Sequence, residues 1–226
     1  MALVLVVSPP SNTQMKKIFI VLLALTVFAC KKASNQPVDD QKDSVPQTKV
    51  DLKDSTAILI NKVEILKKTN DEILQALKNK DYKRFAEHVH PEKGVRFSMY
   101  AFVDPRGDKH FSKTDFEKYY PTKTIFTWGT LDGSGDPYKA TIQEFLSKWV
   151  FSKDFTGSLF SYNEIQGSGN SLNNIKEQYP KSDFTENFIN GTEKYGEMDW
   201  KALRFVFEEF RGKYYLIAVI NDQWTV

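Results

Sequence analysis

The C-terminal part of the chain carries the pattern that constrains its fold most strongly. Within residues 203–208, leucine and phenylalanine alternate with other residues that include Arg204 and Glu208. A period of two predicts a strand with one buried face. Arg211-Gly212 then gives a turn signal, and residues 214–220 form a nearly continuous apolar run, which indicates a strand covered on both faces. The sequence therefore predicts a long C-terminal β-hairpin.

The region before this hairpin predicts helices that come first and strands that follow. Apolar residues recur every three or four positions over residues 56–78, which predicts a long helix. Asp81 is placed to cap a short second helix, and residues 95–103 alternate as a strand does. We expect an α+β fold: N-terminal helices packed on a curved, mostly antiparallel sheet, in a single domain that spans residues 56–226.

Two capping boxes predict further helices in the middle of this domain. Thr114 and Glu117, and likewise Thr141 and Glu144, are spaced so that a hydroxyl and a carboxylate can close the first turn of a helix. Residues 123–130 have the composition of another strand.

Residues 15–30 have the order of a bacterial lipoprotein signal. Lys16 and Lys17 precede the apolar run 18–29, and Cys30 follows it directly. This run is shorter than the roughly 20 residues that a membrane-spanning helix needs. The pattern favours a signal that is removed before Cys30, with an uncleaved anchor or a buried N-terminal helix as the alternatives. We therefore expect export to the cell envelope and attachment to a bacterial membrane, on its periplasmic or cell-surface side, through a lipid on Cys30.

The segments around this signal are not expected to join the domain. We expect translation to start at Met15, because Pro9-Pro10 would break a helix that joined the two apolar runs. Residues 30–55 lack aromatic side chains, so we interpret them as the lipidated cysteine and a disordered tether. Cys30 is the only cysteine, and its lipidation would leave the domain without a disulfide or a thiolate ligand.

The composition of the domain bears on its partners and its core. Residues 1–55 hold 7 of the 31 basic and 5 of the 29 acidic side chains, so the remainder carries 24 of each. This balance lacks the basic footprint that phosphate backbones require, and we do not expect nucleic acid as a partner. The chain has 17 Phe, 10 Tyr and 4 Trp, which predicts a core built of rings, with a ring-lined pocket as the alternative.

Four segments resemble an uncharacterised domain of secreted and lipid-anchored bacterial proteins. They are His90–Ser98, Trp128–Pro137, Asp199-Trp200 and Asn221–Val226. The resemblance extends over nearly all of residues 74–226 and implies a location outside the cytoplasm, but no catalytic residues. The order of elements also resembles the nuclear transport factor 2-like superfamily, whose cone-shaped fold serves enzymes, binding proteins and assembly modules alike.

Two patterns resemble metal sites without meeting their requirements. Asp132, Ser134 and Asp136 place oxygen side chains at alternate positions, as calcium loops do, but Pro137 stands where such a loop needs glycine and Gln143 where it needs a bidentate glutamate. His88 and His90 would point the same way only on a strand, whereas residues 81–89 are predicted to be helical. We therefore expect neither a metal nor another cofactor.

The polar face of the predicted hairpin supplies the candidate binding residues. Arg204 and Glu208 lie on this face, and Arg96 and Tyr100 belong to the first predicted strand. Together with Trp128 they are expected to line a pocket if the sheet encloses one on its polar side. A cross-strand salt bridge on an exposed sheet and a structural role for the tryptophan are the alternatives.

Three functional hypotheses follow. The leading one is a lipid-anchored envelope protein that binds an unknown small molecule or an envelope protein and is not an enzyme, since no nucleophile–base or metal motif is recognised. The second is a small hydrolase or isomerase that uses Glu208, Asp199 or Asp222 as its catalytic carboxylate. The third is an envelope assembly module that associates through its sheet.

Overall fold

The computed structural model describes residues 52–225, with side chains from Thr56 onward. The predicted signal, Cys30 and nearly all of the predicted tether lie outside the described residues. The first helix begins at Leu52, within the last residues of that tether. Among the described residues, no helix is both long and apolar enough to cross a membrane.

Helices open the described part of the chain, and strands dominate its second half. The helices are α1 (Leu52–Lys78), α2 (Tyr82–His88), α3 (Lys113–Tyr119), α4 (Ile142–Phe145) and α5 (Ile175–Gln178). The strands are β1 (Val95–Ser98), β2 (Lys109–Phe111), β3 (Phe126–Thr130), β4 (Pro137–Ala140), β5 (Leu159–Tyr162), β6 (Asp183–Ile189), β7 (Lys201–Phe210) and β8 (Lys213–Gln223).

Six of these strands form one sheet in the order β2-β1-β8-β7-β6-β5. Only the β1–β8 pair is parallel, and β3 and β4 form a separate two-stranded hairpin. The long β7–β8 hairpin turns at Arg211-Gly212, where both residues have positive φ angles of 52° and 76°. The predicted α+β fold with a C-terminal hairpin is confirmed.

The two faces of the sheet bury different kinds of side chain. On the helix side, Leu203, Phe205 and Phe207 of β7 join a core cluster with α1, α2 and the β3–β4 hairpin. On the other side, Val206 belongs to a second, smaller cluster. We call residues 163–182 the cap segment, because its Ile165, Ile175 and Tyr179 pack against this second cluster. The sheet is thus covered on both faces, as the apolar run in β8 predicts.

Aromatic rings fill the helix side of the sheet. Phe97 of β1 lies within 6.4 Å, centroid to centroid, of five other rings, which are Phe85, Phe111, Phe116, Trp128 and Phe145. Trp128 stacks on Phe145 with centroids 3.7 Å apart, and its indole N–H donates to the Ala140 carbonyl at 3.0 Å. The aromatic excess of the sequence is therefore used largely in the core.

Two local predictions were wrong. β1 ends at Ser98 rather than at Val103, because the Ser98 hydroxyl lies 2.9 Å from the carbonyl oxygens of both Tyr100 and Phe102 and stabilises a bend there. The chain thus leaves the sheet five residues earlier than its alternation suggested.

The capping box predicted at Thr114 and Glu117 was also wrong. Ser112 caps α3 instead, by accepting a hydrogen bond from the Asp115 backbone N–H at 3.0 Å. The box predicted at Thr141 is confirmed at the start of α4.

A buried amide network fastens α1 to the sheet. Asn70 of α1 and Asn187 of β6 exchange two side-chain hydrogen bonds of 2.9 Å. The Thr185 hydroxyl donates to the side-chain oxygen Oδ1 of Asn70 at 2.7 Å. Each of these side chains is at most 1 % exposed. All partners are polar and enclosed, so the network fixes one register of α1 on the sheet.

Replacing Asn70 by Ala should lower the free energy of unfolding by about 2–4 kcal/mol, because Asn187 and Thr185 would be left buried with unsatisfied groups. Urea unfolding followed by circular dichroism measures this loss. Gln75→Ala, at an exposed position of the same helix, is the control and should change the stability by less than about 0.5 kcal/mol. Equal effects of the two substitutions would contradict the role of the network.

Candidate functional site

The structure brings two of the five predicted pocket residues together. Arg96 and Glu208 line one groove. Trp128 packs in the core, and Tyr100 accepts a hydrogen bond from the Asp132 backbone N–H at 2.8 Å. Arg204 is fully buried below the cap segment. The polar face of the hairpin therefore divides into an open part at Glu208 and a closed part at Arg204.

The groove lies between the outer face of the sheet and the end of the cap segment. Its volume is about 360 Å³. The lining comes from β1, β2, β7 and β8, from the loop before β1, and from the end of α5 and the residues that follow it: Lys93, Arg96, His110, Gln178, Tyr179, Pro180, Lys181, Ser182, Glu208 and Ile217. Side chains from distant parts of the chain thus converge on one concave surface.

Backbone carbonyl groups fix Arg96 in the groove. Its Nη1 donates to the carbonyl oxygens of Pro105 at 3.0 Å and Asp108 at 3.3 Å. The turn formed by residues 104–108 is itself ordered, since Asp108 Oδ2 accepts from the Asp104 N–H and Asp104 Oδ1 accepts from the Arg106 N–H. The guanidinium is therefore held by neutral acceptors, which orient it without cancelling its charge.

Lys93 and Glu208 form the one ion pair inside the groove among the residues described. The Lys93 Nζ lies 2.5 Å and 2.7 Å from the two carboxylate oxygens of Glu208. The Lys93 carbonyl accepts a hydrogen bond of 2.7 Å from Nε2 of His110, so this ring carries its proton on Nε2. These contacts fasten the loop before β1 to β2 and β7.

The remaining charge of the groove is positive. Lys93 and Glu208 neutralise each other, whereas Arg96 and Lys181 form no ion pair within residues 56–225. Guanidinium and ammonium groups that converge in a concavity favour carboxylate or phosphate groups. The groove is therefore suited to a small anion.

A half-buried carboxyl group lies behind Arg96. Burial raises the pKa of Asp108 to about 6, against the opposing effects of the hydrogen bond from Asp104 and the charge of Arg96. Burial also raises the pKa of the nearby Tyr179 phenol, which Arg96 partly offsets. The Asp108 carboxyl thus changes its charge close to the guanidinium near pH 6.

A second charged cluster fastens the cap segment to the sheet. The Arg204 Nε donates to Glu186 of β6, its Nη2 donates to the Gly167 carbonyl at 2.8 Å, and its Nη1 lies 3.0 Å from Asp222 of β8. Glu186 also accepts from the backbone N–H groups of Gln166 and Gly167, at 2.6 Å and 3.1 Å. These three charged side chains are at most 2 % exposed.

The three predicted catalytic carboxylates occupy different places. Glu208 is paired with Lys93 in the groove, and Asp222 is enclosed beside Arg204, with a pKa raised by burial. The carboxylate of Asp199 lies 3.4 Å from Lys153 and accepts from the Thr192 N–H at 2.6 Å, a bond that lowers its pKa. The structure does not bring them together.

The residues of the two patterns that resemble metal sites have other partners in the structure. His88 lies 3.8 Å from Glu72, while Nδ1 of His90 accepts from two backbone N–H groups, at 3.1 Å and 3.0 Å. Residues 132–136 form the turn of the β3–β4 hairpin. Between residues 52 and 225, no group of three or more His, Cys, Asp or Glu side chains is arranged to hold a metal ion.

No model of a protein family matches the chain, and no curated protein matches it. The two resemblances drawn from the sequence stay predictions.

Removing the charge of Arg204 should destabilise the fold strongly. Arg204→Met would leave Glu186 and Asp222 buried without their cation, and we expect a loss of about 3–5 kcal/mol in the free energy of unfolding, measured by urea denaturation. Lys148→Met, which breaks an exposed pair with Glu144, is the control and should cost less than about 1 kcal/mol. A loss for Arg204→Met no larger than the control's would show that the cluster does not hold the fold together.

Asp108 should make the stability of the fold depend on pH. The folded protein binds this proton more tightly than the unfolded chain, whose pKa is near 3.8. The stabilisation is therefore fully present below about pH 4 and is lost as the pH rises through about 6.

Asp108→Asn removes this ionisation and keeps an oxygen that can accept from the Asp104 N–H. We expect the stability difference between the native protein and this variant to shift by roughly 2 kcal/mol between pH 4 and pH 7, in favour of the variant at the higher pH. Thermal or urea unfolding at several pH values measures it. A difference that is constant with pH would refute the assignment.

Proposed function

We propose that this protein is a lipid-anchored protein of the bacterial cell envelope that binds a small anionic ligand in the groove between β1, β7, β8 and the cap segment. The observation that carries the proposal is Arg96, which carbonyl groups hold in place and which forms no ion pair with the described residues, in a concavity that also contains Lys181. Attachment through a lipid on Cys30 is the sequence-based part of the proposal.

The geometry of Arg96 supports a binding role. An arginine that serves only the fold is usually paired with a carboxylate, as Arg204 is with Glu186 and Asp222. Arg96 is instead held by carbonyl oxygens, although it is only partly exposed. Its orientation is therefore set before any ligand arrives, which reduces the entropic cost of binding an anion.

The surroundings of the carboxylates favour binding over catalysis. A general acid or base must reach a substrate atom within hydrogen-bond distance. Asp222 is enclosed by the sheet and the cap segment, and Glu208 uses both of its oxygens on Lys93. The groove thus offers cations to hold a ligand, while its one lining carboxylate already has a partner.

Titration with acetate and inorganic phosphate tests the proposal, with the amide NMR signals of residues 93–96 and 178–182 as the readout. We expect both anions to shift these signals, and Arg96→Gln to weaken binding by about tenfold, the equivalent of about 1.4 kcal/mol. Lys181→Gln should weaken it less, because this side chain is exposed.

Lys148→Gln is the matched control, since it removes a lysine on a different surface and should leave binding unchanged. Equal binding by the native protein and Arg96→Gln, or shifts spread evenly over the molecule, would overturn the proposed site.

A further inference from the structure

An apolar cavity adjoins the charged groove. Its volume is about 270 Å³, and its floor consists of Ile175, Phe184 and Val206, each of which is at most 3 % exposed. Three wall residues belong to both cavities: Tyr179, Pro180 and Ser182. The end of the cap segment thus has the groove on one side and the apolar cavity on the other.

One strand, β7, contributes side chains to both the apolar cavity and the groove. Val206 lines the apolar cavity and Glu208 lines the groove. Residues two apart on a strand point to the same face and lie about 7 Å from each other. Phe184 pairs with Val206 across β6 and β7, which widens the apolar floor. Arg96 and Val206 both pair with Ala218 of β8, so the charged and apolar parts lie two strand spacings apart, about 10 Å.

Four polar side chains line the rim of the apolar cavity, Asn163, Lys176, Tyr179 and Ser182, whereas its floor is apolar. Both polar atoms of the Asn163 side chain are used, since its amide nitrogen donates to Asp183 at 2.9 Å and its oxygen accepts from the Phe184 N–H at 2.8 Å. Lys176 lines the cavity but is exposed to solvent. The floor itself can make only apolar contacts, so this cavity suits a hydrocarbon chain or ring.

We propose that the ligand is an amphipathic organic anion, with its acidic group at Arg96 and its apolar chain or ring in the cavity over Val206. This inference rests on the proposed function, and it specifies the class of ligand. A molecule that fills both spaces would need a volume within the range of about 300–1,000 Å³ found for ligand pockets. A small inorganic anion would occupy the groove alone.

A series of straight-chain carboxylates tests the inference, because its members share one acidic group and differ only in apolar length. Butyrate, hexanoate and octanoate are titrated by calorimetry into the full chain carrying Cys30→Ser, which removes the predicted lipid acceptor. Each fully buried methylene contributes about 0.8 kcal/mol, or about fourfold in affinity. We expect octanoate to bind at least about tenfold more tightly than butyrate.

The location of the chain is tested by variants and by NMR. Val206→Phe fills the cavity and should abolish the gain in affinity from butyrate to octanoate. Because this residue is buried, the folding of the variant is checked by circular dichroism. The methyl signals of Ile175 and Val206 in the unsubstituted cavity provide a second readout, and octanoate should shift them more than butyrate does.

The possible outcomes distinguish a wrong ligand class from a wrong proposed function. If butyrate binds and Arg96→Gln weakens it, but octanoate binds no more tightly, the amphipathic ligand is overturned and anion binding stands. If octanoate binds equally well to Arg96→Gln, the assignment of the acidic group to Arg96 is overturned. If acetate, phosphate and all three carboxylates fail to bind, both proposals are wrong.

Discussion

The buried cluster of Arg204, Glu186 and Asp222 is the interaction on which the outer half of the molecule depends. Three charged side chains without access to water are costly, and they are tolerated because they compensate one another and accept or donate backbone hydrogen bonds. Three of those bonds reach Gln166 and Gly167, so the cluster joins the cap segment to three neighbouring strands. This attachment holds the first part of the cap segment, whose last part forms walls of the groove and of the apolar cavity.

The alternation in β7 explains why the candidate site lies on the outer face. Phe205 and Phe207 point to the helices, where rings from β1, α3 and the β3–β4 hairpin fill the space. Val206 and Glu208 point the other way, where the cap segment covers the sheet only in part. The groove and the apolar cavity therefore lie where the cap segment ends, and the helix face mainly supplies stability.

Strong local patterns allowed much of this fold to be predicted, and long-range polar contacts explain most of what could not. The hairpin, α1 and the cap of α4 each depend on residues close in sequence. β6 was not recognised, because Thr185, Glu186 and Asn187 are consecutive polar residues, and all three are buried by partners on other elements.

The residues of the candidate site also divide into those that local sequence patterns predict and those that only tertiary contacts bring together. Arg96 and Glu208 could be placed on one face from strand alternation alone. Lys93 and Lys181 lie outside the strands and enter the groove only through tertiary structure.

The size of each charge interaction indicates what the groove needs from its ligand. An exposed cation such as Lys181 contributes at most about 1 kcal/mol in water, and Arg96 offers one charge. Charge alone would give selectivity with weak affinity, so tight binding must draw on apolar surface, at about 25 cal/mol per Å² buried. In the proposed complex this contribution would come mainly from the ligand's own apolar surface, because Ile175, Phe184 and Val206 are each at most 3 % exposed.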